Sequence, residues 1–240
     1  MGLNKVKKGS KMFSSVGWTW NPISGCKHGC KYCYAEALMK KWGKDFAPNF
    51  RPKYLKDKFP NDGTWIFVGS MGDLFCSSMK DEWILKILGK IAFEKTNNKF
   101  LLQTKNPRSF LAFGLELEQI KDKVILGTTI ETTGDTTKFS DAPSTIDRFT
   151  YLRQMKLAGF KTFLSLEPLS DFDVSELTQW ITEIDPEAIE IGLENYTQHT
   201  SRPSNAKICD LVEWGDEKGY TYILKENLDW VPQAIKERIQ

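Results

Sequence analysis

Short apolar runs rich in β-branched and aromatic residues recur along the chain, at 17–23, 65–68, 100–103, 124–128, 162–166, 188–193 and 220–224. Each is short enough, and apolar enough, for a strand buried in a parallel sheet. Between them the pattern changes period. Residues 81–94 set Trp83, Ile84, Ile87, Leu88 and Ile91 on one helical face, and 34–42, 107–120, 144–158, 174–184 and 205–218 read as helices in the same way. Gly159 and Gly219 stand where a helix should end, Pro107 and Pro143 near where one should begin. Such alternation predicts a parallel sheet with right-handed crossovers. Six βα units and a seventh strand fall short of a closed eight-stranded barrel. The expectation is therefore an α/β fold, a partial (open) parallel βα barrel in one domain, with 1–16 as a basic extension. A doubly wound sheet is the runner-up.

In either architecture the working rim lies at the C-terminal ends of the strands. Polar residues stand there after every strand: a cysteine loop, Ser70 with Asp73, Lys105, Thr129 with Glu131, Glu167, Glu194 with Asn195, and Lys225. Glu167, set between Leu166 and Leu169, has more reason to face a cavity than a core, where it could hold substrate or act as an acid–base group; a structural pairing with Arg148 is the alternative.

Composition narrows the classes. The 33 basic residues nearly balance 31 acidic ones, for a net charge of +2, which excludes a heavily basic tail protein but not a local basic patch. No apolar run reaches the ~18 residues of a membrane span, and the N-terminal stretch lacks the apolar core of a secretion signal, so a cytoplasmic protein is expected. Lysines gather at Lys5, Lys7, Lys8 and Lys11 and again between Lys40 and Lys58, the second group interleaved with Trp42, Phe46, Phe50, Tyr54 and Phe59. Basic and aromatic residues together suit nucleic acid, and a solvated loop over a barrel edge is the alternative.

Of five cysteines, Cys26, Cys30 and Cys33 crowd into eight residues between the first strand and the first helix. A chain of this length needs no disulfide scaffold, so the crowding points to metal or redox chemistry. Gly25 and Gly29 let the loop fold tightly. Cubane iron–sulfur clusters take thiolates at such spacings, usually four; three would leave one iron open. A zinc site completed by His28, in a nucleic-acid-binding protein without catalysis, and a redox pair of Cys30 with Cys33 are the alternatives.

Cys-x3-Cys-x2-Cys with Tyr32 before the last cysteine, placed after the first strand of a βα chain, resembles the signature of the radical S-adenosylmethionine superfamily. That resemblance implies a 4Fe-4S cluster on Cys26, Cys30 and Cys33, S-adenosylmethionine on its open iron, and a 5′-deoxyadenosyl radical that abstracts hydrogen from a substrate. It also implies an electron donor of flavodoxin or ferredoxin type. Ser70-Met71-Gly72-Asp73 stands where the superfamily usually has a Gly-Gly-Glu-like stretch for the methionine amino group. Ser70, Asp73 and Lys105 resemble the arrangement in spore photoproduct lyases, radical enzymes of DNA repair, in which the lysine neutralises the methionine carboxylate. By the same resemblance Tyr32 belongs to the cofactor site, Thr129 and Glu131 would hold the ribose hydroxyls, and Cys76 would return a hydrogen atom to a product radical; a small buried apolar residue is the other reading of Cys76. The whole chain is similar to a phage-associated family of poorly characterised radical S-adenosylmethionine-like proteins, through Thr19-Trp-Asn-Pro22, Ser70-Met-Gly-Asp-Leu-Phe75, Leu102-Gln-Thr-Lys105 and Leu164-Ser-Leu-Glu-Pro168 among other stretches. Gly192-Leu-Glu-Asn195 departs from that family's Gly-Glu-Ser-Gly stretch. A nucleic acid or nucleotide is the first substrate expectation, with a peptide or small metabolite beside it.

Overall fold

The computed structural model describes residues 2–7, 10, 12–195 and 198–239, so Lys8 and Lys11 of the N-terminal lysine group lie outside the described residues. In chain order the elements are β1 (Leu3–Lys5), β2 (Val16–Trp20), β3 (Ile23–Ser24), α1 (Tyr34–Lys41), β4 (Asn49–Phe50), β5 (Trp65–Val68), α2 (Asp81–Phe93), β6 (Lys99–Gln103), α3 (Ser109–Ala112), α4 (Gly114–Glu118), β7 (Val124–Thr129), α5 (Thr145–Leu157), β8 (Thr162–Leu166), α6 (Val174–Ile184), β9 (Ala188–Ile191), α7 (Asn205–Lys218), β10 (Tyr222–Leu224) and α8 (Val231–Ile239). Among them no helix is long and apolar enough to cross a membrane.

One curled eight-stranded sheet runs in the order β1-β2-β5-β6-β7-β8-β9-β10, parallel throughout except for β1, which pairs antiparallel with β2 at one edge. The expected open βα half-barrel is thus the fold. The expected elements recur with informative differences. The first strand ends at Trp20, because Pro22 has no N–H to give the ladder, and Ile23–Ser24 instead forms a small ribbon with β4. The helix expected at 107–120 breaks into α3 and α4 at Phe113–Gly114, where glycine is the costly residue in a helix interior. The last strand is followed by α8, which no sequence reading anticipated.

Period-2 alternation divides the sheet into two faces. Phe100, Leu102, Val124, Leu126, Leu164 and Ile189 face the helices and join the main core, whereas Leu101, Ile125, Phe163 and Ala188 form a second cluster inside the curve with Phe13 and Val16. The segment before β2 thus supplies the side chains that fill the inside of the barrel. Further along the same inner face the chemistry changes: the register aligns Thr129 with Ser165, and Ser165 with Glu190, in one polar row. The inner face is apolar at its base and polar toward the strand ends.

Phe163 is fully buried, with its ring 5.1 Å from Phe13 and 5.9 Å from Trp65. Phe163→Ala removes the centre of the inner cluster and is expected to cost about 3–5 kcal/mol, read as a lowered urea midpoint with native far-ultraviolet circular dichroism before the transition.

Candidate active site at the mouth of the half-barrel

The cysteine loop is clamped from two sides. Gly25 donates its N–H to the Met71 carbonyl (2.8 Å) and bridges to Gly72. Both positions need glycine: a Cβ on Gly72 would lie 2.5 Å from the Gly25 carbonyl oxygen, and one on Gly25, whose φ is +78°, would lie 2.2 Å from that of Phe46. Asn21 fixes the partner loop, its Oδ1 accepting from Met71 N–H and Ser70 Oγ, each at 3.1 Å, and the Tyr34 hydroxyl donates to the Ser70 carbonyl. On the other side Lys31 N–H reaches the Phe139 carbonyl (2.9 Å), Asp141 N–H reaches that of His28 (2.7 Å), and Cys30 Sγ lies 3.1 Å from Ser140 Oγ. Cys33 caps α1, its sulfur accepting from Glu36 N–H at 3.4 Å.

A cavity of about 370 Å³ opens at the C-terminal ends of the strands. Cys26, Cys30, Tyr32 and Cys33 line it together with Ser70, Gly72, Asp73, Lys105, Thr129 and Glu167. Met71, Cys76 and Glu131, the remaining residues expected at the site, are not among its lining side chains, and Cys76 and Glu131 are buried.

Glu131 is the electrostatic hub. It is fully buried, and its Oε2 takes the Arg148 guanidinium at 2.5 Å while Oε1 takes both the Lys105 ammonium and the Tyr32 hydroxyl. Arg148, also fully buried, reaches the Thr129 carbonyl (3.0 Å) and the Pro143 carbonyl (2.7 Å) as well, and leaves Nη2 without a hydrogen-bond partner. Burial would raise the Glu131 pKa, but the guanidinium, then the ammonium, override it and hold the group near about 2. Tyr32 is pushed well above its ordinary value by burial and the Glu131 charge, so it stays a neutral donor. Lys105 brings its ammonium to the cavity wall, with Nζ 2.6 Å from the Tyr32 hydroxyl. The ribose role expected for Glu131 meets a carboxylate with both oxygens engaged. The anticipated pairing of Arg148 with Glu167 does not form, because Arg148 is held by Glu131; Glu167 lies 3.5 Å from Lys225 Nζ instead.

Asp73 is an internal brace. Its Oδ2 meets His28 Nε2 (2.8 Å) and Lys105 N–H (2.9 Å), and Oδ1 accepts from Phe75 N–H (3.0 Å). Burial lowers the His28 pKa, but the Asp73 hydrogen bond and the neighbouring Cys76 outweigh it and raise the group to about 10. Burial opposes ionisation of Asp73 as well, and the same pairing with His28 keeps it ionised. Cys76 is 2% exposed and belongs to the main core, behind Cys26 and 3.9 Å from His28 Nδ1. Its contact with Cys26, followed by that with His28, favours its thiolate, while the same contact and burial push Cys26 up. Cys209 is buried on α7, as a core residue should be.

Glu194, at the cavity edge, folds its own loop: its Oε2 accepts from Thr200 N–H (2.9 Å) and Thr200 Oγ1 (2.8 Å). The basic aromatic segment is also engaged. Phe50 stacks on Trp83 at 5.7 Å, Phe59 packs edge-on against Trp20 at 4.9 Å, and Phe46 lines the cavity. Trp42 is the exposed ring of that segment. Asn21, Ser140 and the buried Glu190 were not anticipated as contributors. For Glu190 a signal existed, a carboxylate inside the four-residue buried strand Ala188–Ile191.

The donor set fits a cluster with one open iron, since three thiols of one eight-residue loop enter one cavity and no fourth cysteine joins them on the wall among the described residues. It fits a zinc ion poorly. Among the described residues no three His, Cys, Asp or Glu side chains gather closely enough to hold a single ion, and His28, the fourth ligand that reading needs, turns Nε2 to Asp73 and Nδ1 toward Cys76.

Fold and site together define a parallel βα half-barrel with a three-thiol pocket at its mouth. The family described as protein of unknown function (DUF5131) matches residues 13–234, and the chain belongs to it. No curated protein matches the sequence. Among solved structures, a mutant spore photoproduct lyase is similar at a TM-score of 0.58 and 15% identity, over 87% of this chain and 65% of that one. Streptococcus suis SuiB bound to S-adenosylmethionine gives 0.53 and 10%, over 90% and 52%, and anSMEcpe with bound S-adenosylmethionine gives 0.53 and 10%, over 85% and 60%. The chain thus spans about half to two thirds of the length of these proteins, and at such identities the likeness is one of fold.

Removing one partner of a buried pair strands the other, at about 3–5 kcal/mol. Glu131→Gln is therefore expected to lower the unfolding free energy by that amount at pH 7, read from urea denaturation. Because Glu131 is held near about 2 against an ordinary 4.5, its contribution is full above about pH 4.5 and is lost as the pH falls toward about 2. Stability measured across that window should fall less steeply in the variant than in the wild type.

Proposed function

We propose that the chain is a radical S-adenosylmethionine enzyme carrying one 4Fe-4S cluster on Cys26, Cys30 and Cys33. The observation that carries this reading is the entry of three thiols from one glycine-clamped loop into a cavity at the mouth of a half-barrel, a fold shared with solved proteins that hold S-adenosylmethionine. When bound, the pair of cofactors supplies an electron to the sulfonium and a 5′-deoxyadenosyl radical for hydrogen abstraction. The protein's part is to bind, orient and shield. Lys105, whose ammonium stands at the cavity wall, would take the methionine carboxylate in a charge-assisted bond. Ser70 and Gly72 offer wall backbone for the methionine amino group, with Met71 and Asp73 holding their loop in shape. Thr129, at the end of β7, is the wall hydroxyl nearest in kind to a ribose partner, with Glu131 aligning Lys105 and Tyr32 from behind. Cys76, buried behind Cys26, would first have to be uncovered to reach a substrate radical. The electron comes from outside, from a donor of flavodoxin or ferredoxin type, since the two cysteines beyond the loop cannot make up the four thiolates of a second cluster.

The test is anaerobic reconstitution with iron and sulfide, then S-adenosylmethionine and dithionite. The expected protein is brown, holds about four irons per chain and forms 5′-deoxyadenosine. Cys30→Ala should lose the visible absorbance and the product together. A Cys30→Ala protein that kept its iron and absorbance would overturn the ligand assignment.

A further inference from the structure

The three thiols of the loop differ in what donates to them. Cys33 sulfur accepts from the backbone N–H of Glu36, and Cys26 takes a backbone hydrogen bond from His28. Cys30 has instead a side-chain hydroxyl beside it, Ser140 Oγ at 3.1 Å, supplied from 110 residues further along the chain. The place of that hydroxyl is imposed by the segment between β7 and α5. Phe139 and Ser140 both turn their N–H groups to the Thr136 carbonyl, at 3.0 and 2.9 Å, which coils the segment tightly. Its flanks are tied to the cysteine loop, Phe139 through Lys31 and Asp141 through His28. Gly29 leaves the room, since a Cβ there would lie 2.4 Å from Asp141 Oδ2.

Ser140 is 4% exposed, so its hydroxyl proton must find an acceptor inside the protein. The Ala142 N–H donates to Oγ at 3.2 Å, which uses a lone pair and leaves the proton free. The His28 carbonyl lies 3.4 Å away and already accepts from Asp141 N–H at 2.7 Å. Cys30 Sγ is the nearer acceptor. A thiol could donate in its turn, and Cys30 reaches the His28 carbonyl at 3.9 Å. A metal-bound thiolate has no proton to give and can only accept.

We propose that Ser140 is a positioning residue that acts through Cys30: its hydroxyl donates to the Cys30 sulfur and makes a cluster held there easier to reduce. The inference rests on the cluster reading of the cysteine loop. In the step concerned one electron passes from the reductant to the cluster, and no bond or proton changes place. A hydrogen bond to a ligand sulfur stabilises negative charge, and the reduced cluster carries one unit more of it. The bond is therefore stronger in the reduced state, and deleting it lowers the reduction potential. Ser140 thus favours loading of the electron at the expense of the driving force for its delivery.

The full chain is reconstituted anaerobically and titrated with dithionite in the presence of redox dyes, the reduced fraction being read by electron paramagnetic resonance. Ser140→Ala deletes one oxygen from a buried position, and Ser140→Thr keeps the hydroxyl. At equal iron per chain, Ser140→Ala is expected to lower the ratio of reduced to oxidised cluster at a fixed potential by about two- to tenfold, the net worth of one hydrogen bond. Ser140→Thr should stay near the wild type. A merely structural Ser140 would change iron content or melting and leave the potential of the retained cluster where it was. An unmoved or raised potential in Ser140→Ala, loss of its cluster altogether, or an equal drop in Ser140→Thr would each overturn the inference. A wild-type chain that takes up no cluster refutes the cluster reading, and the inference falls with it. A loaded chain whose potential ignores Ser140→Ala counts against the inference alone.

Discussion

A carboxylate with no access to water stays charged only if the protein surrounds it with donors, and Glu131 is such a carboxylate. Its compensation comes from three places, Arg148 on α5, Lys105 after β6 and Tyr32 between two cysteines of the loop, around a carboxylate presented just beyond the end of β7. None of these elements can shift independently without uncovering a buried charge. The hub therefore fixes the distance between the thiols and the lysine, the two features any cofactor at this mouth must meet together. It also holds Lys105 over the Tyr32 ring, 4.9 Å from its centre.

The barrel supplies the frame by an economical rule. Along each inner face the side chains pass from Leu101, Ile125, Phe163 and Ala188 at the base to Gln103, Thr129, Ser165 and Glu190 nearer the mouth. The apolar layer excludes water from below, and Gln103, Thr129 and Ser165 of the polar layer line the cavity. Phe13 and Val16, in and just after the segment before β2, complete the base of a barrel whose described residues form seven parallel strands.

Much of this was legible in the amino-acid order. The parallel strands and most helices declare themselves through period, and the cysteine loop through its glycines, since a loop that presses its backbone against Gly72 has few other residues to use. What escaped was whatever depends on partners brought from afar. β1 is three residues of mixed polarity whose strand character comes from pairing with β2. The ribbon of Ile23–Ser24 with Asn49–Phe50 follows from Pro22 ending one strand early. Glu131 could be placed at the rim from its position after a strand, but not its tie to Arg148, because which helix leans over which strand end is settled by packing. Glu190 stood out only as a charge inside a buried strand, and its meaning required knowing that β8 and β10 flank β9.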